Sequence, residues 1–171
     1  MSYVTYREYD LANRVVRLTT ENSNGKAILD YTYEYDLNGN RVKEINKLNN
    51  KWIQYVYDSV NQLTEERSYV SLSDNNPSIN TYTYDLLGNR TQKNINGTIT
   101  NYGYNTPTNE LTTLNGTANY THDQNGNMLT SANYEFIYNA ENQLVQVKRS
   151  GAVDAAFEYN WQGLRSKKTT S

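Results

Sequence analysis

The sequence predicts an all-β fold: an antiparallel meander of hairpins in a curved or spiralling sheet, part of a hollow β-wall. Three observations predict it. One phrase, seen as "YEYDLNGNR" and "YTYDLLGNR", recurs in eight copies along the 171 residues. Aromatic residues precede its centre at a spacing of two, the period that lines one face of a strand. Clusters of Asn, Gly and Ser follow short β-prone runs, where a hairpin must turn.

The central aromatics of the eight copies are Tyr9, Tyr35, Tyr57, Tyr84, Tyr104, His122, Tyr138 and Tyr159. Their intervals run from 16 residues (His122 to Tyr138) to 27 (Tyr57 to Tyr84), so one end of the unit is fixed and the other varies. The next position is Asp10, Asp36, Asp58, Asp85 or Asp123, but Asn105, Asn139 or Asn160 in the other three copies. Asp and Asn share an acceptor oxygen and differ in charge. Their exchange points to an Asx-turn, in which that oxygen takes a backbone N–H two residues on. Three residues beyond come Asn13, Gly39, Asn61, Gly88, Gly126, Asn142 and Gly163, with Asn109 one step later in "YNTPTNEL". Gly and Asn have in common their tolerance of positive φ. The phrase therefore reads as a tight turn with a left-handed residue near its exit.

Upstream of each centre, Tyr33, Tyr55, Tyr82, Tyr102, Tyr120, Phe136 and Phe157 share a strand face with it, and Tyr31 extends one stripe. Phe at two of these places shows that the ring does the work there. The first copy has Arg7 instead, as a terminal unit would. Downstream, "RVVRLT", "RVKEI", "LTEERSYV", "RTQKNI", "ELTTL" and "LVQVK" are β-prone and mostly too short for helices. A second, variable turn follows: "NSNGK", "KLNNK", "INGT", "LNGT", "SAN" or "RSGA", with the widest insertion, "SLSDNNPSIN", around Pro77. Asn-Gly here predicts a hairpin turn with both central residues at positive φ. The sum is a meander of roughly sixteen strands, and open sheets beyond about ten strands curl. Its two outermost strands would be exposed edges, open to self-association.

Composition narrows the function. A net charge of -2 and a pI of 5.4 exclude an electrostatic grip on nucleic acid; the one basic cluster, Arg165, Lys167 and Lys168, is short. Hydrophobic residues are 36%, below the roughly 45–50% of a usual domain, while Tyr supplies 17 residues and Phe 2. This predicts a thin aromatic core. With no cysteine, disulfides and thiolate metal sites are excluded. No apolar run reaches the roughly 18 residues of a membrane span and no signal segment opens the chain. The opening "SYVTYREYD" is already in the idiom of the repeat and reads as a cut from something longer.

No catalytic, metal or cofactor site is expected. His122, the only histidine, fills a slot that is Tyr in every other copy, and Ser131 and Ser150 lack an adjacent base. The Asp residues are spread one per copy. "DQNGN" at Asp123 brushes against a calcium loop but lacks its later Glu. Sugar rings stack on exposed aromatics, and Trp52 and Trp161 are the candidates for that. Asn89, Asn96, Asn115 and Asn119 fit the N-glycosylation pattern, which matters only in a eukaryotic secretory host.

"YEYDLNGNR", "YTYDLLGNR", "VYDSVNQL" and "IYNAENQL" resemble the YD, or Rhs, repeat, whose phrase is roughly YxYDxxGNR or YDxxNRL. The resemblance covers nearly the whole of residues 1–171 as a single array of about eight repeats. It implies a family of bacterial Rhs and wall-associated polymorphic toxins, large subunits of insecticidal toxin complexes, and teneurins. There the repeats wind into a hollow shell, which in the toxins encloses a C-terminal toxin domain. The expected role is a non-enzymatic structural segment of such a shell in a secreted or surface bacterial protein; the alternative is a carbohydrate-binding or adhesive module. Expected partners are neighbouring repeats, an enclosed toxin domain or glycans. A "DPxGRF"-like core segment and an effector sequence are absent from these residues.

Overall fold

The computed structural model describes residues 2–118 and 120–171. The chain forms two compact units, residues 1–99 and 100–171. All regular structure among the described residues is β. In the first unit, β1 (Tyr3–Tyr9), β2 (Val15–Asn22), β3 (Ala27–Tyr35), β4 (Arg41–Asn46), β5 (Lys51–Tyr57), β6 (Leu63–Tyr69), β7 (Ser78–Tyr84) and β8 (Arg90–Ile95) lie side by side in sequence order. Each neighbouring pair is antiparallel. The second unit begins within β9 (Thr98–Tyr104), which is followed by β10 (Leu111–Leu114) and β11 (Thr117–Ala118), paired in that order. Then come β12 (Tyr120–His122), β13 (Met128–Ser131), β14 (Tyr134–Tyr138), β15 (Leu144–Arg149), β16 (Ala152–Tyr159) and β17 (Arg165–Thr170), again antiparallel and in order. Among the described residues seventeen strand segments stand against the roughly sixteen expected; Asn119, one of the glycosylation-pattern positions, lies outside the described residues.

The core is thinner than composition implied. Ala155, 8% exposed, is the only buried hydrophobic residue described, and no described side chain is fully buried. Side chains therefore cover one another along the sheet, not against an opposing layer. Stability must come from cross-strand pairs and hydrogen bonds, each worth about 0.2–1 kcal/mol for a side-chain pair.

One feature recurs that the residue pattern did not reveal. Opposite each central aromatic the register slips by one residue. Tyr35 faces Arg41 while Glu34 faces Lys43, which leaves Val42 as the extra residue of a β-bulge. The corresponding residues are Val16, Thr64, Thr91, Thr112, Leu129, Val145 and Ser166. Three of them carry a hydroxyl that donates across the strands: Thr64 to the Val56 carbonyl (3.2 Å), Thr112 to Gly103 (3.1 Å) and Ser166 to Glu158 (3.2 Å). A bulge bends its strand and adds right-handed twist. Each unit thus carries its own bending element beside its fixed turn.

The variable turns follow the Asn-Gly expectation only in part. Asn96–Gly97 (φ 50 and 83), Asn115–Gly116 (52 and 76) and Ser150–Gly151 (51 and 84) have both central residues at positive φ. "NSNGK" does not: Gly25 alone turns left-handed (φ 72), because Asn22 Oδ1 accepts from the backbone of Asn24 (2.9 Å) and Lys26 (3.1 Å). An Asx side chain two residues upstream overrides the dipeptide. In "KLNNK" only Asn50 is left-handed (φ 58), and in "SAN" only Ala132 (φ 53). Around Pro77, Asp74 orders the long loop by accepting from the Val70 and Asn76 amides, both at 2.9 Å. Ala132 keeps its Cβ where only Gly is at ease, so Ala132→Gly is expected to stabilise the protein by about 0.5–1 kcal/mol, read from urea unfolding midpoints. A loss of stability would show that Ala132 is unstrained.

Candidate functional site

The fixed turns are the most regular assembly of polar groups in the molecule. In seven of the eight, one side-chain oxygen of the Asp or Asn accepts backbone N–H groups from further along the turn. Asp10 Oδ1 takes Ala12 and Arg14, both at 2.9 Å; Asp58 takes Val60 (3.0 Å) and Gln62 (2.8 Å); Asp85 takes Leu87 and Asn89, both at 2.9 Å. Asp123, Asn139 and Asn160 accept at 2.9–3.1 Å from the residues two and four on, and Asp36 takes Asn40 at 2.8 Å. The exit residue is left-handed in every copy: Asn13 (φ 60), Gly39 (90), Asn61 (65), Gly88 (87), Asn109 (59), Gly126 (81), Asn142 (58) and Gly163 (76). In the fifth copy the turn is one residue longer, closed by Asn105 N–H to Glu110 C=O (2.8 Å) and Asn109 N–H to Asn105 C=O (2.7 Å).

The second Asp oxygen has its own partner, four residues on. Asn40, Asn89 and Asn127 donate their side-chain amides to Asp36, Asp85 and Asp123 at 2.9–3.0 Å, and Arg14 Nε donates to Asp10 at 2.7 Å. Where the turn residue is Asn139, its amide donates the other way, to Gln143 Oε1 at 2.8 Å.

These bonds hold Asp36, Asp85 and Asp123 below the usual carboxylate range, chiefly through the Asn amide, and Asp10 chiefly through the Arg14 backbone N–H. At the alkaline end, burial pushes Tyr33, Tyr57, Tyr82 and Tyr138 up, and Tyr55 to about 12. A depressed carboxyl stabilises the fold above about pH 4 and ceases to do so as pH falls through its folded value; a raised phenol stabilises below about pH 10 and ceases as pH rises. Urea midpoints are therefore expected to be flat between about pH 4 and 10 and to fall on both sides. An acid limb unchanged in Asp85→Asn would contradict the turn's part in it.

The central tyrosines have a second task. The Tyr35 hydroxyl donates to the Val15 carbonyl (2.8 Å), Tyr57 to Arg41 (3.0 Å), Tyr84 to Leu63 (2.8 Å) and Tyr159 to Leu144 (2.9 Å). Each acceptor is the fifth residue beyond the Asp or Asn of the preceding copy, so the ring latches one unit to the one before. The Arg of "GNR", or of "GLR" in the last copy, completes the phrase. Arg41 lies over both Tyr33 (5.3 Å) and Tyr55 (5.4 Å), Arg90 over Tyr82 (5.9 Å) and Arg165 over Phe157 (5.5 Å). His122, in the same slot as the latching tyrosines, sits with Nδ1 4.0 Å from Glu110 Oε2. No group of three or more His, Asp or Glu able to hold a metal occurs among the described residues.

The turns also touch each other, in a two-copy rhythm. Odd copies exit through Asn, even copies through Gly. Asn38 and Asn40 of the second copy both donate to Asn61 Oδ1 of the third (3.0 and 2.7 Å); Asn125 and Asn127 of the sixth donate to Asn142 of the seventh (2.9 and 2.8 Å). In the reverse step a long side chain lies on the glycine: a Cβ on Gly88 would stand 3.3 Å from Gln62 Nε2, and one on Gly163 3.3 Å from Gln143 Nε2. Asn supplies an acceptor where two donors arrive, and Gly makes room where a glutamine covers the turn.

The two tryptophans differ. Trp52 stacks on Tyr69 at 3.7 Å, has Lys43 Nζ 5.2 Å from its ring, and donates its indole N–H to the Ser71 carbonyl. Tyr69 and Lys43 come from the strands on either side of β5, so both ring faces are occupied. Beside it opens a groove of about 630 Å³ lined by Tyr31, Glu44, Tyr69, Asp74 and Asn76. Trp161, 91% exposed, stands at a turn tip beside a hollow of about 340 Å³.

The teneurin YD-shell family model matches residues 54–170. The chain is 33% identical over 152 residues to the tRNA3(Ser)-specific nuclease WapA of Bacillus spizizenii, and 33% over 154 residues to the tRNA nuclease WapA of Bacillus subtilis. Each match takes in 83% of this chain and 6% of the relative. Among solved structures it resembles the Photorhabdus luminescens Tc holotoxin pore (TM-score 0.79, 23% identity, 98% of this chain and 10% of that one) and TcdB2-TccC3-TEV (0.78, 25%, 97% and 10%). The antiparallel meander of this chain is thus also the fold of the matched tenth of those chains. The chain belongs to the teneurin YD-shell family.

Proposed function

We propose that residues 1–171 form a single array of eight units that works as a non-enzymatic stretch of wall. The wall belongs to a secreted or surface bacterial protein and surrounds a C-terminal toxin domain. The observation that supports this most is the investment of polar side chains: Asp, Asn, Gln and the Tyr hydroxyls are committed to turns and to neighbouring units. The nuclease activity named for the WapA relatives resides, on this reading, outside the region they share with this chain. Incubating the purified chain with tRNA and divalent cations is expected to leave the tRNA intact; cleavage would overturn the non-enzymatic reading. In the parent protein, limited proteolysis is expected to spare the enclosed domain until the latch tyrosines are replaced. Equal cleavage before and after would overturn the wall. Carbohydrate binding is a second reading, favoured by the exposed Trp161 ring, and requires its fluorescence to respond to sugars.

A further inference from the structure

We infer that the joint between the fifth and sixth copies is a pH-responsive latch, closed by an ion pair between protonated His122 and Glu110. In the odd copies the residue after the left-handed exit has a long side chain: Arg14, Gln62, Glu110 and Gln143. Each reaches over the turn of the copy that follows. Arg14 donates to the Asp36 carbonyl (3.0 Å) and lies 4.7 Å from the centre of the Tyr35 ring. Gln62 and Gln143 lie on Gly88 and Gly163, and Glu110 Oε1 would stand 3.8 Å from a Cβ on Gly126. Glu110 is the one acid at this place in all eight copies, and the copy after it carries the one histidine.

The match is chemical. A guanidinium is drawn to the negative face of a phenol ring, whereas a carboxylate is repelled by it. An imidazole removes the conflict, because it can become a cation near neutral pH. Thr108 Oγ1 donates to Glu110 Oε2 at 2.7 Å and holds that oxygen 4.0 Å from His122 Nδ1. The His122 and Glu110 side chains are 10% and 23% exposed, so water screens the pair only in part. The guanidinium of the other even copies is missing: the residue opposite the central ring is Arg41, Arg90 or Arg165 there and Met128 here. Neither β10 nor β13 carries a titratable side chain. The groups left around the imidazole are Asp123, Tyr120 and Tyr138. Asp123 is committed to the Asn125 and Asn127 N–H groups and to the Asn127 amide, and the two phenols are uncharged near neutrality.

A proton is held better beside the carboxylate, so the latch tightens as pH falls through the imidazole range and slackens as it rises. This local step lies within the span that the turn carboxylates and the phenols leave flat. It concerns one joint and can fail while the wall reading stands. Because His122 is the only histidine, its ring C2 proton reports its titration alone in a magnetic resonance spectrum. Glu110→Gln installs the residue found at Gln62 and Gln143, and is expected to weaken proton binding at His122 about threefold. Hydrogen exchange gives a second readout. Protection of the β10 and β12 amides, corrected for intrinsic exchange, is expected to be about two- to fivefold greater at about pH 5.5 than at about pH 8, the weight of a part-exposed ion pair. That difference should vanish in Glu110→Gln and in His122→Phe, which keeps a ring that cannot charge. A titration unmoved by Glu110→Gln, or protection equal at the two pH values, would overturn the proposal. So would a pH difference that persists in either variant.

Discussion

Gly103→Val is expected to destabilise the protein by about 1–3 kcal/mol, the range for overpacking a fitted contact. Gly103 lies in β9 directly opposite Thr113 of β10. A Cβ there would collide with Thr113 Oγ1 and stand 3.5 Å from Thr113 Cβ. The Thr112 hydroxyl, on the bulge, bonds the Gly103 carbonyl at 3.1 Å, so the strand cannot slide away without losing that bond. Thr113→Ala should recover at least half of the loss when combined with Gly103→Val. Urea unfolding of the two single variants and the double variant measures the coupling. Additive effects would mean that the collision is relieved elsewhere.

The second large effect concerns the tyrosines. Tyr35, Tyr57 and Tyr84 changed together to Phe lose three inter-unit hydrogen bonds at about 1 kcal/mol each, for a total of about 2–3 kcal/mol. The control is built into the same strands. Tyr33, Tyr55 and Tyr82 sit two residues upstream under Arg41 and Arg90, and their hydroxyls are not among the hydrogen bonds of the described residues. Their triple change to Phe is expected to stay within about 0.5 kcal/mol. Equal losses in the two triples would reduce the latch to ring packing.

That contrast shows where the sequence was legible and where it was not. The Asp/Asn exchange and the Gly/Asn exchange each leave one property in common, an acceptor oxygen and tolerance of positive φ, and that property can be read from residue types alone. Phe136 and Phe157 likewise exposed the upstream ring as packing. The latch was hidden because its acceptor is a backbone carbonyl of the preceding unit, at a distance in sequence set by a loop of variable length. The bulge was hidden too: an extra Val42 or Thr64 shifts the register without altering the phrase. "NSNGK" misled because the Asx bond from Asn22 outweighs the Asn-Gly preference. Gly103 occupies a place held elsewhere by Glu34, Val56 or Ile137, and only its neighbour Thr113 explains it.

The most direct measurement compares Asn139→Asp with Asn139→Ala by urea unfolding at pH 7. Asn139 Oδ1 accepts from Glu141 and Gln143 at 3.1 and 2.9 Å. An aspartate keeps that oxygen, and Gln143 can turn its amide to meet the second one. The aspartate variant should remain within about 0.5 kcal/mol of the parent while the alanine variant loses about 1 kcal/mol. If the aspartate proved as damaging as the alanine, or the alanine as harmless as the aspartate, the recurring pair would not be a turn closed by an acceptor oxygen.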